Sequence, residues 1–330
     1  RPSGFEVSKA VMAHALDSIP RELRDALELA AHRVADYAKA SLPETWHNQE
    51  TGLGELIIPI ERVGLYAPGG TAAYPSTVLM SAVTAREAGV SEIVLCTPAQ
   101  DAVNGNSAVL AAAYIAGADR VFLIGGAQAI AAMAYGTESV PKVDIICGPG
   151  NIFVTIAKAQ LYGTVGIDGI FGPSETVVVA DDSADPALCA ADLLAQAEHD
   201  MLAAAILITT SETLLGNVAE EIEKQVQSLE RREIASSALS NQSALVLVED
   251  MDEALNIANL IAPEHLCLMM RDPWAWVDKV RHAGGLFVGE YSAEVMGDYI
   301  AGPSHTIPTH GTARFASYLG VDQFVKRVPV

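Results

Sequence analysis

The chain has 330 residues, half of them apolar and few of them aromatic, and it carries a formal net charge of −21 at pH 7. A chain of this length usually divides into two domains. The negative charge disfavours nucleic acid or an anionic membrane as a partner, because those surfaces bind clusters of Lys and Arg. Its ordinary consequence is solubility. Every apolar stretch is interrupted well before about 20 residues, so no membrane-spanning helix is predicted.

The cysteines have no CxxC spacing and lie mostly in apolar segments, at Cys96, Cys147, Cys189 and Cys267. This pattern predicts buried thiols in a reducing cytoplasm, not a disulfide framework or a zinc knuckle. No signal peptide is recognisable. The chain begins at Arg1 without an initiator Met, so we expect that upstream residues have been removed.

The first fifty residues are predicted to be mainly helical. Apolar residues recur with a spacing near 3.6 between Leu23 and Val34, which predicts a helix over Arg21–Ala40 that ends before Pro43. A short strand, Glu55–Pro59, is predicted next. The segment Arg62–Tyr66 then leads into the sequence Ala-Pro-Gly-Gly, which ends at Gly70.

From there, strands alternate with helices of about ten residues, which predicts right-handed βαβ units around parallel sheets. The first block has predicted helices over Ser76–Gly89, Ser107–Gly117, Ala127–Tyr135 and a segment through Ala157, with predicted strands over Glu92–Thr97, Arg120–Gly125 and Lys142–Cys147. The second block has predicted strands over Thr176–Ala180, Ala204–Thr209, Ala244–Val248, Cys267–Met270 and Leu286–Val288, with predicted helices over Pro186–Glu198, Glu212–Leu229, Met251–Ile261 and Pro273–His282.

Two blocks of similar texture predict an α/β fold with two Rossmann-like parallel-sheet domains and N-terminal helices. No sequence repeat proves a duplication. Past Gly289 the pattern becomes loop-like and rich in Gly, Pro, Ser, Thr and His. Loops of this chemistry often carry functional sites.

Gln196 and His199 lie three residues apart on a predicted helix, so their side chains leave the same face. An imidazole and an amide oxygen on one face can hold a metal. The alternative is a solvated helix end, where a His suits the helix dipole. Spacing alone favours that alternative.

Glu264 and His265 are adjacent at a helix-to-strand junction, which we expect at the carboxyl edge of a parallel sheet, where open α/β sheets bind ligands. There they are suited to acid–base catalysis. An exposed helix-end pair is an equally good interpretation. Asp298 and His305 are zinc-ligand types in one predicted loop. Taken alone, they are better interpreted as a turn cap and a surface His.

Two glycine-containing loops, Gly69-Gly70 and Gly148-Pro149-Gly150-Asn151, each follow a strand and precede a helix. Such loops can bring backbone N–H groups to a pyrophosphate. Neither matches GxGxxG, so the standard dinucleotide fingerprint is absent and the signal is weak.

Seven motifs occur in an order and spacing that resembles the histidinol dehydrogenase family, from about residue 50 to 327. They are Val63-Gly64-Leu65-Tyr66-Ala67-Pro68-Gly69-Gly70, Gly125-Gly126-Ala127-Gln128-Ala129-Ile130, Gly148-Pro149-Gly150-Asn151, Gly172-Pro173-Ser174-Glu175, Gln196-Ala197-Glu198-His199-Asp200, Pro263-Glu264-His265-Leu266 and Gly297-Asp298-Tyr299.

The resemblance implies a homodimer that oxidises L-histidinol to L-histidine through the aldehyde, reduces two NAD molecules and holds one zinc per site. It also implies roles for particular residues: Gln196, His199 and Asp298 as zinc ligands, Glu264 and His265 as the acid–base pair, Ser76, Ser174 and His305 as substrate contacts, and Tyr66, Gln128 and Asn151 as NAD contacts. It implies further that residues 66–175 form an NAD-binding domain, and that residues 1–65 and 176–330 together form a zinc and substrate domain.

Members of the family resemble this chain up to Phe324-Val325-Lys326-Arg327 and then continue. Their tail supplies a Glu and a zinc-binding His to the partner's site, which is thus shared between subunits. This chain stops at Val330, so we expect it to be shortened at both ends. Two alternatives remain: a related zinc- and NAD-linked dehydrogenase for another polar alcohol, and an inactive truncated core. The combination of Gln196, His199, Asp298 and His305 favours histidinol, because a substrate without imidazole would not need them all.

Overall fold

The computed structural model describes residues 5–69, 73–100 and 105–330. The chain forms two compact units. Unit 1 comprises Arg1–Ile170, Asp298–Thr306 and Leu319–Val330, and unit 2 comprises Phe171–Gly297 and Ile307–Tyr318.

The N-terminal part of unit 1 contains eight strands and six helices among its described residues. In chain order they are β1 (Glu6–Val7), α1 (Lys9–Ser18), α2 (Arg21–Ala40), β2 (Trp46–His47), β3 (Gly54–Pro59), β4 (Arg62–Tyr66), α3 (Pro75–Glu87), β5 (Glu92–Thr97), α4 (Ser107–Ile115), β6 (Arg120–Leu123), α5 (Gly126–Tyr135), β7 (Ile145–Cys147), α6 (Ile152–Leu161) and β8 (Gly166–Ile167).

The chain then continues into unit 2 with the same alternation of strand and helix. Its elements are β9 (Glu175–Ala180), α7 (Pro186–Ala197), β10 (Ala204–Thr209), α8 (Glu212–Gln225), α9 (Arg232–Asn241), β11 (Ala244–Leu247), α10 (Met251–Ile261), β12 (His265–Met269) and β13 (Gly285–Val288). Helix α11 (Glu294–Tyr299) begins in unit 2 and ends in unit 1, and strand β14 (Val325–Pro329) belongs to unit 1.

The parallel strands have the same spatial order in both units. The order is β6-β5-β4-β7-β8 in unit 1 and β11-β10-β9-β12-β13 in unit 2. Numbered from the first strand of each set, both read 3-2-1-4-5, which is the order of a Rossmann-like half. In unit 1, β1 pairs antiparallel with β6, and β14, β3 and β2 form a separate antiparallel sheet. The predicted fold class is confirmed.

Strand β9 has an almost continuously apolar sequence, Thr-Val-Val-Val-Ala after Glu175. Its side chains alternate between two faces, and both faces are buried. Val178 and Ala180 pack in the core that contains helix α7, and Val177 and Val179 pack in the core that contains α10. Strand β9 is therefore the central strand of the unit 2 sheet and is covered by helices on both faces.

The unit boundaries differ from the predicted domains. Residues 1–65 were assigned to the zinc and substrate domain, but they lie in unit 1 with the strands that follow them. The physical reason is packing: α2 packs on α3, and α1 packs on α4. The proposed cofactor and substrate roles of the two domains are a separate matter and stay predictions.

Several predicted elements differ from the observed ones. Helix α9 was missed, and the predicted helix over Pro273–His282 is a 3₁₀ helix over Pro273–Lys279. Beyond Gly289, where loops were predicted, the chain forms α11 and β14. Both elements are too short for a periodic signal, and β14 depends on antiparallel pairing with β3, far away in sequence.

The cysteines agree with the sequence analysis, since all four are free and buried. No helix in the described parts of the chain is long and apolar enough to cross a membrane.

Candidate active site

Two of the predicted NAD contacts, Tyr66 and Asn151, lie where the strand order of unit 1 reverses, between β4 and β7. Tyr66 is the last residue of β4, and the loop that ends at Asn151 follows β7, the neighbouring strand. Ligands of open α/β sheets bind at this crevice, outside the carboxyl ends of the strands. The Tyr66 hydroxyl accepts a hydrogen bond from the Gly126 N–H at 3.0 Å, which joins two of the predicted motifs.

The loop after β7 passes very close to Tyr66. Gly148 has φ 116°, and a Cβ there would lie 2.1 Å from the Tyr66 carbonyl oxygen, so only glycine fits. Asn151 ends the loop as the N-cap of α6, and its side chain accepts hydrogen bonds from the N–H groups of Phe153 and Val154. The loop therefore delivers the chain to the N-terminus of α6, where anions are favoured.

A buried ion pair holds this loop from beneath. Lys158 of α6 donates to the Gly148 carbonyl oxygen at 3.0 Å and to Asp168, and Asp168 accepts the Gly148 N–H at 2.6 Å. The side chains of Lys158 and Asp168 are 2% and 1% exposed. The sequence analysis missed the pair, although Lys158 shares the buried stripe of α6 with Val154.

Gln128 lies in the first turn of α5, inside the helix predicted over Ala127–Tyr135, and it is exposed. Its Oε1 would lie 2.9 Å from a Cβ at Gly126, so its side chain folds back over that glycine. Tyr66 is buried, and this burial raises the pKa of its phenol. Of the Gly69-Gly70 pair, Gly70 lies outside the described residues.

The predicted acid–base pair lies at the amino edge of the unit 2 sheet, not at the carboxyl edge as predicted. His265 is the first residue of β12 and pairs with Thr176, near the start of β9. The prediction was wrong because a helix-to-strand junction precedes its strand and therefore lies at the amino end of that strand. Ser174 directly precedes β9 and so lies at the same edge.

Both members of the acid–base pair are buried, Glu264 at 6% exposure and His265 at 4%. The Glu264 carboxylate accepts the N–H of Glu175 at 3.1 Å. The Nδ1 atom of His265 lies 3.9 Å from Oε2 of Glu264 and 3.6 Å from Oε1 of Glu294. An exposed helix-end pair is thus excluded, and the arrangement is an imidazole whose Nδ1 atom faces two carboxyl groups.

Gln196, a predicted zinc ligand, is fully buried in the last turn of α7. Its Oε1 lies 2.9 Å from the Thr176 hydroxyl, and its Nε2 has no hydrogen-bond partner among the described residues. The same hydroxyl contacts Glu294 at hydrogen-bond distance.

A hydroxyl has one proton, and a carboxylate can only accept. If Thr176 donates to Glu294, it must accept from Gln196, which requires the amide nitrogen and oxygen to exchange places. The buried atom left without a partner is then the Gln196 carbonyl oxygen. Such an oxygen is available to a metal ion, so the residue fits its predicted role.

His199 does not share a helical face with Gln196, as was predicted, because α7 ends at Ala197. His199 lies in the following turn, exposed, with its N–H bonded to the Gln196 carbonyl oxygen at 3.1 Å. Gln196 and His199 are therefore joined by a turn that follows the helix, and not by a further turn of α7. Among the described residues, no group of three or more His, Cys, Asp or Glu side chains could hold a metal ion.

In unit 1, the imidazole of His305 lies between two protein groups. Its Nδ1 lies 2.8 Å from the Asp298 carbonyl oxygen, and its Nε2 lies 3.0 Å from the Thr77 hydroxyl. Since a carbonyl only accepts, Nδ1 carries the proton and Thr77 donates to Nε2. Burial lowers the pKa of His305, which favours the neutral form of the ring. The surface-His interpretation was wrong.

Asp298 belongs to helix α11, not to a loop as predicted, and it is buried. Ser76 lies at the N-terminus of α3 and is also buried. The sequence analysis missed four polar residues that contact the predicted site residues: Thr77, Glu175, Thr176 and Glu294. No local pattern marks them, because each becomes significant only through a partner distant in sequence.

The chain matches the family model of histidinol dehydrogenase over residues 1–330. The histidinol dehydrogenase of Dechloromonas aromatica is 54% identical over 326 residues, which cover 98% of this chain and 75% of that protein. The chain belongs to the histidinol dehydrogenase family. The crystal structure of the histidinol dehydrogenase from Elizabethkingia anophelis matches with a TM-score of 0.97 and 38% identity, over 99% of this chain and 76% of that chain.

Histidinol dehydrogenases are NAD-dependent, zinc-binding oxidoreductases of histidine biosynthesis that act on histidinol, so the resemblance is confirmed and the two alternatives are not favoured. A more distant likeness concerns the fold alone. An acetylating aldehyde dehydrogenase from Geobacillus thermoglucosidasius matches with a TM-score of 0.59 at 14% identity, over 98% of this chain and 94% of that chain.

Proposed function

We propose that this histidinol dehydrogenase uses His265 as the general base and Glu264 as the residue that activates water. The observation that carries the proposal is the burial of these two side chains together at the amino edge of the unit 2 sheet. Buried titratable groups placed side by side are typical of acid–base sites.

The reaction needs both groups. Hydride leaves the alcohol carbon only as the hydroxyl proton is removed, and His265 supplies the base for that proton. The aldehyde must then add water before a second hydride can leave. Glu264 suits that step because its carboxylate is already oriented by the Glu175 N–H.

We propose Gln196, His199 and Asp298 as the protein ligands of zinc, supported for Gln196 by the buried side-chain amide atom that has no hydrogen-bond partner among the described residues. Zinc would hold the amine and imidazole of histidinol and would take no part in electron transfer, since it has a single accessible oxidation state. Ser76, Ser174 and His305 are the proposed substrate contacts. A polar contact by His305 requires one of its two hydrogen bonds to open.

We propose Tyr66, Gln128 and Asn151 as NAD contacts, supported by the position of Tyr66 and Asn151 beside the strand-order reversal of unit 1. Residues 66–175 would then provide the cofactor domain. The proposal includes a homodimer with a site shared between subunits, on the family resemblance, and a cytoplasmic location, which the four buried thiols support.

The test is steady-state oxidation of histidinol and histidinal by NAD, with and without added zinc. His265→Asn should lower kcat by roughly 10²–10⁴-fold, the scale of a positioned acid–base group. His282→Asn, in the same unit but outside the site, is the matched control. Glu264→Gln should slow histidinal oxidation more than histidinol oxidation. Unchanged turnover in His265→Asn would refute the base, and equal losses in Glu264→Gln would refute the division of labour.

A further inference from the structure

A buried chain of polar side chains joins the proposed zinc ligand to the proposed base within unit 2. Gln196 contacts the Thr176 hydroxyl at 2.9 Å, Thr176 contacts Glu294, and the other oxygen of Glu294 lies 3.6 Å from Nδ1 of His265. The exposure of Thr176 is 0%, that of Glu294 is 1%, and neither residue has a role in the proposed function so far.

The four residues come from four separate elements that converge at one sheet edge. Thr176 is the second residue of β9 and is paired in register with His265 at the start of β12. Gln196 lies in the last turn of α7, and Glu294 begins α11. The register of two neighbouring parallel strands thus places Thr176 beside His265, and Glu294 contacts both.

The proton inventory gives the chain a direction. An ionised Glu294 accepts the Thr176 proton through one oxygen, so Thr176 must accept from the Gln196 amide. The other oxygen of Glu294 lies 3.6 Å from Nδ1 of His265, and Oε2 of Glu264 lies 3.9 Å from the same atom. Carboxylate charge on this side of the ring favours the tautomer that carries its proton on Nδ1. The Nε2 atom of His265 is then left with its lone pair, which a general base requires.

We propose that Thr176 and Glu294 are positioning residues that prepare both ends of the site. Thr176 fixes the Gln196 amide with its oxygen toward zinc, and Glu294 fixes the orientation and tautomer of His265. This inference rests on the proposed roles of Gln196 and His265. Carboxylates that orient a histidine in this way occur both behind metal ligands and in catalytic triads.

The positions would otherwise suit apolar residues. A buried hydroxyl and a buried carboxylate lower stability unless their partners compensate, and apolar replacements of similar volume are often neutral or stabilising. A purely structural role therefore predicts that such replacements change stability but leave metal binding and turnover alone. A positioning role predicts instead that such replacements weaken metal binding or lower turnover, with little effect on stability.

The experiment uses isosteric variants and two separate readouts: zinc affinity by competition with a chelator, and kcat and KM for histidinol. Thr176→Val removes only the hydroxyl and should weaken zinc binding about 10–100-fold, the usual effect of losing a partner of a metal ligand. Thr176→Ser should restore it. Thr209→Val is the matched control, because Thr209 is equally buried but lies at the opposite, carboxyl end of the same sheet.

Glu294→Gln should act on the other end. Its carbonyl oxygen can still accept from Thr176, so zinc affinity and KM should stay close to those of the unsubstituted chain. Its NH₂ group would face Nδ1 of His265 and favour the wrong tautomer, so kcat should fall by about 10²–10⁴-fold.

Each outcome decides a separate point. Equal zinc affinities in Thr176→Val and Thr209→Val would overturn the role of Thr176, and an unchanged kcat in Glu294→Gln would overturn that of Glu294. If the unsubstituted chain takes up no zinc and does not oxidise histidinol, the proposed function fails first, and the inference that rests on it fails with it.

Discussion

Replacing Lys158 by Met tests whether the buried ion pair holds the loop at Gly148. The variant keeps most of the side-chain volume but removes the ammonium, which donates to the Gly148 carbonyl oxygen and to Asp168. Asp168 would stay buried as an uncompensated charge. Breaking a buried pair in this way costs about 3–5 kcal/mol. For a unit of this size that corresponds to a fall in Tm of about 6–20 °C, at about 2–4 °C per kcal/mol.

The second expected effect is functional. With one anchor lost, Gly148 should no longer hold its close approach to Tyr66, and NAD affinity should fall. Thermal unfolding and titration calorimetry with NAD measure the two effects. Lys142→Met, at an exposed lysine of the same unit, is the matched control. A Tm shift no larger than that of the control would refute the stability argument, and unchanged NAD affinity in a destabilised variant would refute the link to the cofactor.

Three further predictions concern single side chains. Gln128→Ala should raise KM for NAD without changing zinc content, and unchanged NAD binding in calorimetry would place the cofactor elsewhere. Asn151→Ala should also raise KM for NAD, but it should in addition destabilise the chain by about 0.5–2 kcal/mol, since this side chain caps α6; thermal unfolding separates the two variants. Burial raises the pKa of Asp192 from 3.8 to about 6. The protonated Asp192 carboxyl therefore stabilises the folded chain fully below pH 3.8, and this stabilisation is lost as pH rises through about 6. Asp192→Asn should accordingly lose less stability than the unsubstituted chain between pH 5 and pH 7.5. Identical losses of stability in denaturant unfolding would contradict this.

The sequence predicted those elements whose signal is local and repeated. Helices α2 and α10 and strands β5 and β10 have the predicted bounds, because each carries a clear period or an apolar run between turn residues. Two blocks of such elements were enough to predict two Rossmann-like sheets. The same reasoning missed α9, whose polar sequence has only Ala235 and Ala238 buried.

The candidate site was predictable only in part. Glu264 and His265 stand out as adjacent residues at a helix-to-strand junction, but the sequence analysis assigned that junction to the wrong edge of the sheet. Thr176 and Glu294 are 118 residues apart and meet only in the folded unit. A single sequence contains no signal for such a pair. Lys158 could have been recognised from the sequence, since a lysine on the buried stripe of an apolar helix requires a buried partner.

Helix dipoles give a reason why the proposed NAD site of unit 1 and the proposed zinc site of unit 2 should lie at opposite edges of their sheets. In unit 1 the loop after β7 leads to the N-terminus of α6, where the positive end of the helix dipole would favour the pyrophosphate of NAD at the proposed cofactor site. In unit 2 the amino edge lies beside the C-terminus of α7, which carries Gln196, and the negative end of a dipole favours a cation such as zinc. The rule that ligands bind at the carboxyl ends of the strands thus suits NAD, which is an anion. It does not apply to the proposed zinc site, because zinc is a cation.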